Sequence, residues 1–532
     1  MPDPDLLPGE DRPETLALIS SRGDCTRLEL RELSIAFSRV FLGESGDLRG
    51  ERIALFTAPD IRFVLSLLGI WRAGGAVAPL GLKSPPPELR HILGDAGVKR
   101  AVTDKEHRAS ISGVARELGI ELLDADAILE QARRDRRSEA VGGRAGKVGK
   151  SRDEFRGPDV EPNIGPDVEL DEPALLLYTS GTTARPKGVV STHRIIRAQT
   201  DALLQAWEWS DRDRILNVLP LHHAHGFLNV VVCALRAGAC LEMETSFDAR
   251  RVWTRLASGE ITLFMAVPTI YAKLLEEYRQ ASEETRRAWA QGAARLRLMV
   301  SGSAALPARL WRDWREITGQ TLLERYGMTE IGMALSNPYR GERLPGRVGS
   351  PLPGVSVRLV DESGREIQED GLPGELQVRG PTVFLEYYNQ PEQTAKAFQD
   401  DWFLTGDLAS RENGTYRILG RISQDIIKSG GYKISALEIE EALREHPAVK
   451  ECAVLGLPDE EWGEKIAAAI VPGSGESPLP ERLTDFVRER LAPYKLPRRF
   501  LFLDELPKNA MGKTMKPALR EMFSREISDG SA

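Results

Sequence analysis

The chain has 532 residues, 41% hydrophobic and 28% charged. That is ordinary for a folded globular protein and long enough for several domains, or one large and one small. Lys and Arg total 71 against 79 Asp and Glu, a net charge of −8, which excludes a binder of extended polyanions but not a site for one small anion.

The first residues, Met-Pro-Asp-Pro-Asp-Leu-Leu-Pro, are acidic and Pro-rich, unlike a signal or transit peptide. The expected compartment is the cytoplasm, or the mitochondrial matrix if a transit segment has been removed. Residues 52–58, 174–179, 261–268 and 296–301 read as short buried strands ending in small or polar residues. Residues 61–72, 250–257 and 307–318 read as helices. The alternation predicts α/β layers with parallel sheet, with ligands beyond the carboxyl ends of the strands. Residues 131–168 are rich in Arg, Lys, Gly and Asp and read as a surface insertion or linker. Between Arg214 and Arg236 no charged residue occurs, but Asn217, Pro220, His222, His223, His225 and Asn229 make packed core with a polar loop the better reading than a membrane span. Cys25, Cys233, Cys240 and Cys452 have no CxxC spacing, which argues against a zinc ribbon and a disulfide framework. After Gly420 the pattern changes to a small α+β unit. It has a helix at 435–445 opened by a Ser435/Glu438 capping box, strands at 449–457, 465–471 and 499–503, and a helix at 480–491. The chain divides into 1–420 and 421–532.

Tyr178-Thr-Ser-Gly-Thr-Thr-Ala-Arg-Pro-Lys-Gly188 directly follows a strand. The hydroxyls of Thr179, Ser180, Thr182 and Thr183 can donate to phosphate oxygens, Gly181 permits close backbone approach, and Lys187 adds positive charge. It is not a Walker A loop, because Pro186 stands where the second glycine is required.

This loop resembles the signature of the acyl-adenylate-forming superfamily, which includes acyl-CoA synthetases. Further motifs recur in the family's order: Tyr326-Gly-Met-Thr-Glu330, Thr405-Gly-Asp407, Gly420-Arg421, Gly430-Gly-Tyr432 and Pro507-Lys-Asn-Ala-Met-Gly-Lys513. The resemblance implies a large N-terminal domain, a small mobile C-terminal domain, and a site between them. It implies two half-reactions: a carboxylate attacks the α-phosphorus of ATP, giving acyl-AMP and pyrophosphate, and the thiol of coenzyme A then displaces AMP. On this resemblance Thr179 and Glu330 serve Mg²⁺, with Thr329 beside it, and Asp407 and Arg421 take the ribose and phosphates. Ser301, Gly302, Ser303, Glu324, Arg325, Tyr326, Gly327 and Met328 line the nucleotide pocket, Tyr326 stacking on the base. Lys513 stabilises charge in adenylation only. Gly430, Gly431 and Tyr432 line the path of CoA. Ser423 is the expected hinge, although Gln424 and Asp425 follow closely. Ala184 departs from the glycine that the family commonly has in the loop.

Arg325 points to the acid. A cation beside an acyl pocket is costly to desolvate unless it meets an anion, and a guanidinium suits a second carboxylate. Glu324-Arg-Tyr-Gly-Met-Thr-Glu330, Leu221-His-His-Ala-His-Gly226 and Val267-Pro-Thr-Ile-Tyr271 resemble malonyl-CoA synthetases. That resemblance implies that Arg325, Lys273 and Ser303 hold the distal carboxylate, with His223 and His225 lining the pocket rather than binding a metal. The expected reaction is malonate + ATP + CoA → malonyl-CoA + AMP + pyrophosphate, with methylmalonate as a second substrate. A ligase or stand-alone adenylation enzyme for another short acid, and a non-catalytic nucleotide-binding homologue, are the alternatives. No nucleic acid or membrane partner is expected.

Overall fold

Short apolar strands separated by amphipathic helices build two sheets side by side in the first four-fifths of the chain. The computed structural model describes residues 13–43, 46–142, 170–179, 186–473, 478–508 and 514–529. One sheet runs Glu386–Tyr387, Lys187–Thr192, Pro173–Thr179, Ala76–Pro79, Arg52–Phe56, Arg100–Thr103, Glu121–Asp124, parallel from Pro173–Thr179 onward. The other has Leu323–Met328, Leu298–Ser301, Leu263–Ala266, Arg214–Asn217 and Cys240–Met243 as its parallel centre. An antiparallel sheet of Ser356–Val360, Pro373–Arg379, Phe398–Gln399, Trp402–Glu412 and Thr415–Arg421 adjoins them. The last unit has its own sheet, Tyr432–Ser435, Ile426–Ser429, Gly463–Pro472, Val449–Asp459 and Arg499–Phe502, with its own apolar cores. This is the mixed α/β architecture with a large N-terminal and a small C-terminal part.

Helix Ile61–Arg72 begins at Asp60, whose carboxylate accepts the Arg62 N–H at 2.9 Å. The strand read over 261–268 is shorter, Leu263–Ala266, because Pro268 opens helix Pro268–Gln280, a position where its missing N–H costs nothing. Trp253 stacks on Trp289 (5.5 Å) and on Trp314 (5.3 Å), which locks helices Ala249–Ala257, Glu283–Ala293 and Ala308–Thr318 together over the second sheet. That packing fixes the strand ends at which the site lies.

Two further expectations change, and the packed-core reading of the uncharged run holds. Residues 131–142 are not a linker but the end of helix Ala125–Gly142, whose buried Ala125, Leu129 and Ala132 form one stripe at helical spacing; the remainder of that stretch, 143–168, lies outside the described residues. The uncharged run folds as strand Arg214–Asn217, a loop, a π-type turn His225–Val232 and helix Cys233–Ala237. No described helix is long and apolar enough to cross a membrane. In helix Ala436–Arg444 Ser435 caps the Glu438 N–H at 3.2 Å, but the Glu438 carboxylate turns to Lys495 (2.7 Å), so only half of the capping box forms.

Candidate functional site

Thr179 ends its strand and pairs across the ladder with Lys187, so these two residues close the neck of the phosphate loop. Ser180, Gly181, Thr182, Thr183 and Ala184 lie outside the described residues. Lys187 Nζ donates to Gln393 Oε1 at 3.3 Å and stands 5.1 Å from the centre of the Tyr387 ring. Tyr387 Oη donates to Glu330 Oε1 at 3.0 Å. Burial raises the Glu330 carboxyl above its usual range, while the Tyr387 hydrogen bond, Arg421 and Lys187 pull it down. Lys187, Tyr387 and Glu330 thus form one connected group. Thr329 is half-buried in the turn before Glu330.

Asp407 faces Arg421 directly in the register of Trp402–Glu412 with Thr415–Arg421. Arg421 Nε lies 2.9 Å from Asp407 Oδ1, and its Nη1 donates to the Thr405 carbonyl at 2.8 Å. Tyr326 reaches the same carboxylate from Leu323–Met328, its Oη donating to Oδ2 at 2.5 Å. Burial, reinforced by Asp407, raises the Tyr326 hydroxyl well above its usual range, so it stays a donor. Gly327 has no alternative residue: a Cβ there would lie 2.1 Å from the Gly332 carbonyl. Met328 closes that strand against Gly332.

Arg325 points to the opposite face from Tyr326, as strand alternation requires. It is 4% exposed, and burial lowers its guanidinium to about 10. Among the described residues its Nε and Nη2 have no hydrogen-bond partner. Gly302 lies against it, since a Cβ there would stand 2.5 Å from Arg325 Cζ. Ser301 Oγ and His225 Nε2 are likewise buried without partners. His225 Nδ1 is 3.4 Å from Ser303 Oγ, and Ser303 holds the left-handed φ of +68°. Burial first, then Arg325 and His223, keep the His225 ring neutral, with its pKa well below 6.5. His223 is half-buried, its ring 4.0 Å from that of His222. Buried polar groups in folded proteins are nearly always paired. Here two guanidinium nitrogens, one nitrogen of a neutral imidazole and a hydroxyl share one region without partners among the described residues, an arrangement that suits an incoming carboxylate.

The remaining candidate residues do not all lie in this region. Lys273 is exposed on Pro268–Gln280, roughly half a turn from the buried Tyr271, with Nζ 5.9 Å from the Phe247 ring centre. The Glu324 carboxyl accepts the Gly346 N–H at 3.0 Å and the Leu306 N–H, and burial raises it to about 8, so it serves the backbone rather than an open pocket. Gly430 and Gly431, with φ of +57° and +82°, form the two-residue turn between Ile426–Ser429 and Tyr432–Ser435. Tyr432 is exposed and stacks on Tyr494 at 4.4 Å. Ser423 is exposed in the turn closed by Asp425, whose N–H donates to the Arg421 carbonyl at 2.7 Å and whose Oδ2 accepts the Arg421 N–H at 3.0 Å. Lys513 lies outside the described residues. Sequence reasoning missed Tyr387 and Gln393, neither of which stands in a recognised motif.

Burial also depresses His193 and His222, each to about 4. An unfolded histidine titrates near 6.5, so the folded state loses stability as pH falls from about 6.5 to about 4, at most about 3 kcal/mol for each ring. Glu324 titrates in the opposite sense, so the comparison is best made between proteins at one pH. The variant carrying His193→Gln and His222→Gln is expected to gain in thermal midpoint relative to wild type as pH falls through that window. A difference that stays constant from pH 7.5 to 4.5 would exclude this account.

Residues 9–388 match the family described as AMP-binding enzyme, and residues 438–513 match the AMP-binding enzyme C-terminal domain. The chain is 41% identical to malonate–CoA ligase ACSF3, mitochondrial, of Bos taurus, over 96% of this chain and 89% of that protein. It superposes on ATP-bound MatB from Rhodopseudomonas palustris with a TM-score of 0.83 at 32% identity, covering 98% of this chain and 99% of the other. Against a malonyl-CoA ligase ternary product complex with methylmalonyl-CoA and AMP bound the TM-score is 0.65, at 36% identity, covering 94% and 98%. The motifs, the two-part fold and these likenesses agree: the chain belongs to the AMP-binding enzyme family.

Proposed function

We propose that this chain is an ATP-dependent malonate–CoA ligase. It joins malonate to AMP with release of pyrophosphate, then transfers the malonyl group to the thiol of coenzyme A with release of AMP. The observation that carries the reading is the buried Arg325, with two unpartnered nitrogens beside neutral His225 and unpartnered Ser301. A monocarboxylate with an alkyl tail leaves that cation desolvated and unpaired; a diacid pairs it while presenting its other carboxylate to ATP. The relatives named as malonate–CoA ligases support the same choice.

On the nucleotide side, Asp407 and Arg421 are placed to take the ribose and phosphates, and Lys187 and Thr179 stand at the neck of the loop that meets the phosphates. Glu330 suits Mg²⁺: one buried carboxylate with a hydroxyl nearby fits an ion that completes its shell with water and phosphate oxygens. When bound, Mg²⁺ supplies charge neutralisation of the phosphates. Tyr387 orients the Glu330 carboxylate for this, and Lys187 keeps its field positive. We place the division between the two parts at 420/421 and the pivot at Ser423. Gly430, Gly431 and Tyr432 belong to the CoA side after rotation, where the small hairpin turn leaves room for a narrow chain.

A panel of acids tests the reading. Malonate-dependent pyrophosphate release is expected to exceed that with acetate or butyrate by at least tenfold in kcat/KM, with methylmalonate within about 10–200-fold of malonate, since one methyl group changes binding by about 1–3 kcal/mol. Equal rates with malonate and acetate would remove the argument from Arg325.

A further inference from the structure

Helix Ala308–Thr318 starts at Pro307, which offers no side-chain cap. The first N–H groups of a helix need acceptors. Leu306 N–H, two residues before the helix, is taken by Glu324, the residue before Arg325. Ala308 N–H is taken at 2.7 Å by Glu441 Oε1, which belongs to helix Ala436–Arg444 of the C-terminal part. One turn further on, Arg312 Nη2 lies 3.3 Å from Glu445 Oε1. The contacts therefore match in spacing: 441 and 445 on one side meet 308 and 312 on the other, each pair four residues apart and on one helix face.

We propose that Glu441 and Glu445 form a two-point clamp on helix Ala308–Thr318. The whole chain superposes better on an ATP-bound relative (TM-score 0.83) than on a complex holding a CoA thioester and AMP (0.65), so the orientation the clamp holds is assigned to the first half-reaction, and its release precedes the second. This rests on the ligase reading above. Glu441 is the stronger point, because a half-buried carboxylate on a helix-start N–H gains from the partial positive charge there. Arg312 and Glu445 are more exposed, 54% and 36%, and steer the approach rather than fix it. Glu445 has a second partner, Arg490 Nε at 3.6 Å within its own part, so it stays oriented when the clamp opens. Ala308 N–H has no such reserve in its own part, and water takes it when the helices separate. An interaction with an uncapped N–H that water can replace gives a contact strong enough to select an orientation and weak enough to leave it. Both residues are positioning residues: they lie on the docking face and touch no reacting atom.

The experiment uses the full chain with Glu441→Ala and Glu445→Ala together. The first half-reaction is read as malonate-dependent exchange of pyrophosphate into ATP. The second is read as malonyl-CoA formation from supplied malonyl-AMP and CoA. The expected result is at least a fivefold loss in the first, with the second unchanged or faster. Swapping the outer pair, Arg312→Glu with Glu445→Arg, is expected to keep the first rate within twofold of wild type, whereas Glu445→Arg alone lowers it. Equal loss in both half-reactions, or no change in either, overturns the clamp. Failure of the ligase reading is separate: wild type would then show no malonate-dependent exchange at all. In that case the clamp is read without substrate. The four native cysteines are buried, so dyes on Glu316→Cys and Glu489→Cys report the distance between the parts in the ligand-free protein. A distance distribution that broadens in the double variant supports the clamp; an unchanged one overturns it.

Discussion

Replacing Arg325 with alanine is expected to lower kcat/KM for malonate by about 10²–10³-fold while leaving the unliganded fold as stable as wild type or more so. The two effects come from one fact. In the ligand-free protein the guanidinium is buried and two of its nitrogens have no partner among the described residues, so it costs free energy and its removal relieves that cost. With malonate bound the same group makes charge-assisted hydrogen bonds, whose loss is worth about 2–5 kcal/mol, and 1.4 kcal/mol is tenfold. Arg325→Lys keeps the charge but not the planar fork, and restores part of the rate. Acetate has no distal carboxylate, so its rate is expected to be unchanged or higher in the alanine variant. An ordinary structural ion pair behaves differently: its breakage lowers the thermal midpoint and depresses all acids alike. Thermal melts and the acid panel on the same preparations separate the two accounts.

Arg325 was legible in the sequence because a cation stands directly before the Tyr-Gly-Met-Thr-Glu motif, beside the expected acyl pocket, where it needs an anion. Asp407 and Arg421 were each legible as motif residues, but their pairing is not, since it depends on the register between Trp402–Glu412 and Thr415–Arg421 and on a bulge between Leu408 and Ala409. Tyr387 could not be found: it meets Glu330 only because a short strand, Glu386–Tyr387, adds to the edge at Lys187–Thr192. Lys273 stands on the exposed face of its helix. Two residues from buried Tyr271 sounds close, but on a helix it turns the side chain through about 200° and out to solvent. The 131–142 error has a physical cause. Charge content was weighed by composition, and the apolar stripe of Ala125, Leu129 and Ala132, which decides whether a charged helix can dock, was not followed past Gln131. Elements were readable where one period dominated; contacts between elements distant in the chain were not.

Lys513→Ala is expected to lower malonyl-AMP formation by about 10²–10³-fold and to change malonyl-CoA formation from supplied malonyl-AMP by less than about threefold. A positioned donor aimed at developing charge is commonly worth about 3–4 kcal/mol, and only the first half-reaction builds that charge on phosphate oxygens beside a leaving pyrophosphate. The described residues on either side show how such a lysine is carried. Met515 N–H donates to the Pro507 carbonyl at 2.8 Å, and Lys508 bridges Thr514, so the described residues on the two sides of Lys513 are paired with each other. Lys508 pairs with Glu451 at 2.6 Å. Beyond this pairing, Lys516 is 7% exposed and its Nζ meets Asp425 Oδ1 at 2.6 Å and Glu440 Oε1 at 3.2 Å. Asp425 in turn accepts the N–H of Arg421, which pairs with Asp407. The root of the Lys513 segment is therefore tied by hydrogen bonds and ion pairs to the turn that joins the two parts, and through it to the Asp407 carboxylate. On the proposed pivot at Ser423, rotation would carry that root as a unit with the C-terminal sheet. Lys513 would then serve one orientation and be withdrawn in the other, which is why its removal should divide the half-reactions so unequally. Equal losses in both would show instead that Lys513 supports the fold or the binding of AMP, and the assignment would fall.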